Sequence, residues 1–139
     1  MRDLLIYIVI FTIIICIVGS INTYFYDNIK EIDSELFARS EYTRLNLYFL
    51  KIVKYNGISI KNYGLVDEDD PLSSYITFEN SDGTTNTFIK VKDILYYNKI
   101  KLCENVEEFN VVVDKLGKET ISIDLKISNN DYKLQYVIN

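Results

Sequence analysis

The chain has no histidine and no tryptophan, one proline, five glycines and two cysteines in 139 residues. Without histidine there is no imidazole general base, no Ser-His or Cys-His nucleophile pair, and no histidine-ligated zinc. Cys16 and Cys103 are too few for a cysteine zinc site. Cys16 lies inside an apolar run, so no intrachain disulfide is open to Cys103, which reads as a small buried apolar residue. No glycine-rich phosphate loop is present. The scarcity of glycine and proline excludes a flexible-linker protein. Carboxylates are plentiful, but no recognisable framework holds a pair of them. Neither enzyme activity nor a cofactor is expected.

Basic charge is also short, with 15 Lys and Arg against 20 Asp and Glu, for a net charge of −5. Charge of either sign is missing from Leu4 to Tyr26, where Leu4 to Val18 is an almost unbroken apolar run. As a helix this stretch reaches roughly 35 Å, enough for a ~30 Å hydrocarbon layer. Leu4, Ile8, Phe11, Ile15 and Val18 are the candidate anchor residues. Thr12, Cys16 and Ser20 are tolerated by bonding to upstream carbonyls. Tyr24, Phe25 and Tyr26 fall where an aromatic belt marks a membrane face. The rival reading is a removed leader, because Val18-Gly19-Ser20 has the small-residue pattern of a signal-peptidase site. Arg2 on one flank, against Asp27, Glu31, Asp33 and Glu35 on the other, places the amino terminus in the cytoplasm and the remainder outside.

Three segments follow: an anchor over 1–26, an amphipathic helix over 27–55 and an antiparallel sheet over 56–139. Phe25, Ile29, Ile32 and Leu36 recur at spacings of four, three and four. Leu45, Phe49 and Ile52 resume that period as the candidate helix-on-sheet contact, widened by Leu47 and Leu50. One continuous rod is the preferred reading and two helices jointed near Ser40 the other, with a stop at Asn56-Gly57. The period then becomes two. Ile58 and Ile60 alternate with polar residues, and Gly64 to Pro71 reads as a loop. Strands are expected at Ser74–Asn80, Thr87–Val91, Ile94–Leu102, Phe109–Val113, Ile121–Ile127 and Tyr132–Ile138. The intervening turns are Ser81-Asp82-Gly83, Leu116-Gly117-Lys118 and Asn129-Asn130-Asp131. Strands joined by short turns are antiparallel.

Two polar clusters are candidate sites. Asp67, Glu68, Asp69 and Asp70 could offer oxygen ligands to calcium, or form a solvated acidic loop. Lys90, Lys92, Lys99 and Lys101 alternate at strand spacing beside Tyr96 and Tyr97. That suits single-stranded nucleic acid, or an ordinary solvated sheet face.

An apolar amino-terminal helix running on into an antiparallel sheet resembles the type IV pilin-like proteins, and among them the minor pseudopilins of competence pili and the J-type subunit of type II secretion. The resemblance is carried by Ser40-Glu41-Tyr42-Thr43-Arg44-Leu45, by Ile94-Leu95-Tyr96-Tyr97-Asn98 before Ile100, and by Leu102-Cys103-Glu104-Asn105-Val106-Glu107-Glu108-Phe109. It implies an α+β, pilin-like fold and a structural role in a pilus, competence or secretion filament. Its partners would be other pilin-like subunits, met through the helix, and membrane lipid; DNA would be at most an indirect partner. The chain departs from pilin precursors in having no basic leader, no glycine before Leu4, and no glutamate before Glu31. A subunit of that kind is expected at a tip, in an initiating complex, or outside a filament. The alternative function is a membrane-tethered extracytoplasmic binding or accessory domain.

Overall fold

The computed structural model describes residues 2–138. Helix α1, Arg2–Val53, is continuous, so the joint near Ser40 does not occur. Nothing in its interior breaks it, since the only proline is Pro71 and Gly19 costs a helix only about 1 kcal/mol. Asp3 in the first turn and Lys51 in the last suit the helix dipole. Thr12, Ser20 and Thr23 donate to the carbonyls of Ile8, Cys16 and Gly19 at 2.8, 2.9 and 3.1 Å, the back-bonding expected of polar groups in an apolar helix.

The chain divides into two compact units, Met1–Leu36 and Phe37–Asn139. The second contains the last part of α1 and eight strands: β1 Ser59–Asp67, β2 Asp70–Glu79, β3 Thr85–Val91, β4 Ile94–Tyr97, β5 Ile100–Cys103, β6 Val106–Asp114, β7 Thr120–Ile127 and β8 Asn130–Val137. Strands β1 to β5 form one antiparallel meander and β6 to β8 another. A single parallel bridge, Ser73 with Phe109, joins β2 to β6 and makes one sheet of the two. This is the α+β architecture expected, with helix packed on sheet. Among the described residues, the only departure from antiparallel pairing is that bridge.

Several boundaries differ from the expected ones. Gly64 to Pro71 is not a loop. Asp67 pairs with Asp70, leaving only Glu68 and Asp69 as the tip of a hairpin. Gly64 survives within β1 because the Tyr75 ring of β2 lies across it, 3.6 Å from where a Cβ would stand. The strand expected over Ile94–Leu102 is broken at Asn98 and Lys99, which take φ of 48° and 70° and turn β4 back into β5. Likewise the last turn is Ser128-Asn129, with φ of 47° and 63°, so Asn130 and Asp131 already belong to β8. Strand β6 starts at Val106, ahead of Phe109. The turn at Ser81-Asp82-Gly83 stands as expected, with Gly83 at φ 83° and Asp82 accepting from the Thr84 amide at 2.9 Å. Gly57 also takes the left-handed conformation (φ 81°), although it sits four residues beyond the helix end.

The core forms where α1 crosses the sheet. Ala38, Glu41, Leu45, Phe49 and Ile52 are the buried helix positions, at spacings of three, four, four and three. Leu47 does not widen this stripe, since it points to solvent at 62% exposure. Phe49 is the centre: its ring stacks on Phe88 at 4.1 Å and on Tyr136 at 5.4 Å, and meets Phe78 edge-on at 5.9 Å. Both meanders therefore reach the same helical side chain, β2 and β3 from one and β8 from the other.

Candidate functional site

In the first unit, Leu4, Ile8, Phe11, Ile15 and Val18 are all half or more exposed, and every other large apolar side chain from Leu4 to Val18 is at least 49% exposed. Among the described residues, α1 is the one helix long and apolar enough to cross a membrane. An exposed apolar surface of this length has no stable place in water and a natural one in lipid, where the helix satisfies its own backbone groups.

In the second unit, Leu45, Phe49 and Ile52 are buried against the sheet as expected. A polar latch lies beside them. Glu41 is 4% exposed, yet its carboxylate accepts from the Glu104 amide at 2.8 Å and pairs with Arg44 at 3.1 Å. Arg44 donates in turn to the Leu102 carbonyl at 3.0 Å, and the Cys103 thiol donates to the Glu41 carbonyl at 3.3 Å. Burial, together with the Glu41 carboxylate, pushes the Cys103 thiol up to about 12. Cys103 is thus buried, as expected, and the latch sets the rotation of α1 over β5. A second polar tie runs from Tyr136, whose hydroxyl donates to Asn46 Oδ1 at 2.6 Å. Burial raises the Tyr136 hydroxyl well above its ordinary value.

The lysine patch does not assemble. Lys90 is 4% exposed and turned inward, its ammonium donating to Ser73 Oγ at 2.9 Å, because it shares a face of β3 with buried Phe88. Lys92 and Lys99 occupy the turns at opposite ends of β4, and Lys101 is paired with Glu104. Tyr97 also turns inward, packing on Phe88 and donating to Asn86 Oδ1 at 2.6 Å. Tyr96 faces out and, with Thr87, Ile89, Val91 and Lys99, lines an open groove of about 570 Å³.

The acidic cluster is divided in the same way. Asp70 accepts from Ser73 Oγ and from the Leu72 amide, and the Ser73 bond holds its carboxyl below the usual range. Asp67 accepts from the Asp69 amide within the hairpin tip. Among the described residues no three acidic or thiol side chains are grouped to hold a metal.

The sequence reading did not turn two charged residues inward, Glu41 and Lys90. Each lies at core spacing, Glu41 between Ala38 and Leu45 and Lys90 two residues after Phe88, and period alone would have turned both inward. No family model, curated protein or solved structure matches the chain.

Proposed function

We propose that the chain is a single-pass membrane protein that holds its β-rich unit on the extracytoplasmic side. It serves there as a minor structural subunit of a pilus or pseudopilus filament of the competence or type II secretion kind. The observation that supports this reading is the division of labour along α1. One stretch is apolar and exposed throughout, and the other supplies the centre of a β-sheet core. A helix used in both ways ties whatever happens in the membrane to a folded surface outside it. The mechanism is assembly: apolar helices pack side by side by shape and small residues, while the sheet faces neighbouring subunits. Having no glutamate before Glu31, the chain suits a tip or an initiating complex, where no neighbouring amino terminus has to be neutralised within the bundle.

The groove beside Tyr96 favours a second reading, a membrane-tethered module that binds a ligand without joining a filament. Purifying the tagged full chain from membranes in mild detergent separates the two. Co-purified pilin-like subunits support the first reading; a lone chain that takes up a soluble ligand supports the second.

A further inference from the structure

Between the apolar run and the sheet-packed part of α1, the helix is amphipathic in a particular way. From Asp27 to Glu35, every residue other than Ile29 and Ile32 is polar: Asp27, Asn28, Lys30, Glu31, Asp33, Ser34 and Glu35. Ile29, Ile32 and Leu36 are 57, 55 and 59% exposed, and Phe25 is equally bare. A short helical stretch is marginal in water by itself, and an uncovered apolar stripe makes it more so. Counted from Asn22, the spacings of three, four, three and four average to the 3.5-residue seam of a left-handed coiled coil. In that register Ile29 and Leu36 are a positions, Phe25 and Ile32 are d positions, and the preceding a position is Asn22.

We propose that a second copy of this chain covers the stripe, forming a parallel, in-register two-stranded coiled coil over residues 22–36. The proposal rests on the membrane anchor, since two copies inserted the same way present their helices in parallel. Charge placement permits self-pairing in that orientation. Position g of one helix meets position e of its partner five residues on. Asn28 then lies opposite Asp33, and Glu35 opposite Ser40, so no carboxylate meets a carboxylate across the seam. Asp27 and Glu31 fall at f and c, on the outside. The main competitor for such a stripe is the lipid surface, and helices that lie there carry Lys and Arg on the polar face. This one carries four acids against Lys30 alone, a local charge of −4 + 1 = −3 that anionic headgroups would repel. Asn22 at an a position supplies two amides that bond across the seam, fixing register and favouring two strands over three.

The test uses the full chain in membranes, with Cys16→Ser to remove the exposed thiol. Under mild oxidation, Ile29→Cys is expected to convert most of the chain to a disulfide-linked dimer, while Glu31→Cys stays monomeric. In detergent, Ile29→Lys with Ile32→Lys is expected to lose the dimer by sedimentation without loss of the folded β unit. Equal cross-linking at 29 and 31, cross-linking at 29 to a different protein, or a monomer with both seam residues intact would each overturn the proposal. Alkaline carbonate extraction keeps the two readings apart. A chain released by carbonate removes the anchor, whereas a chain retained but monomeric removes only the pairing.

Discussion

Phe49 is the residue on which the β unit closes, because three other rings from two meanders rest on it. Phe49→Ala is expected to cost about 3–5 kcal/mol, read as a lowered urea midpoint of the full chain in detergent. At Cys103 the prediction concerns pH. In a Cys16→Ser background the thiol is expected to resist a maleimide at neutral pH while folded, and to react at once in denaturant. Its pKa rises from an ordinary 9.0 to about 12 on folding, so above pH 9 the folded state holds the proton that the unfolded state has lost. Stability is therefore complete below pH 9 and falls as pH climbs toward 12, with Tyr136 pushing in the same direction. A urea midpoint measured at pH 8 and pH 11 checks the sign. Leu45, Phe49 and Ile52 were legible in the sequence because apolar period alone identifies them. Glu41 and Lys90 were hidden because a charged side chain at a core-facing position reads as solvated until its partners are visible, and those partners lie far along the chain.

Among elements, the helix was easier to read than the turns. Its continuity followed from the lack of breakers, and the antiparallel order followed from short connections. The turn near Asn129 was legible to within one residue, but the break at Asn98-Lys99 was not, because that pair contains no glycine. A run of apolar and tyrosine residues therefore looked like one strand where the backbone reverses. The acidic hairpin tip was misread for the opposite reason: Gly64 and Pro71 look like loop residues, but Tyr75 covers the first, and the second lies within β2, two residues past the turn. Non-glycine residues at positive φ carry a steric penalty that glycine escapes. Lys99, at φ 70° in a two-residue turn, is thus a site for gain. Lys99→Gly is expected to stabilise the protein by about 0.5–1 kcal/mol, creating the Asn-Gly pair such turns favour, and thermal melting of the full chain measures it.

For the whole molecule, the first question is where the apolar stretch resides. Replacing Ile10 and Ile14 with Asp should raise the cost of insertion by about 6 kcal/mol. Alkaline carbonate extraction is expected to leave the native chain in the membrane pellet and to move the double variant to the supernatant. An equal distribution of both would refute the anchor. The sequence made this feature plain, since an uncharged run of that length has few other uses. The identity of the neighbours was not legible, because surface apolar residues show that a contact is wanted without specifying its shape.

The bond between Asn46 and Tyr136 spans 90 positions, and the Tyr136 ring also closes the stack on Phe49. Synthesis delivers the helical partner first and the β8 partner 90 residues later. Until β8 is made, Phe49 therefore lacks the Tyr136 side of its stack, and a chain stalled before β8 is expected to be more open to proteases. The order of synthesis thus sets the order of closure: only a chain read through to β8 completes the stack on Phe49 and the bond to Asn46.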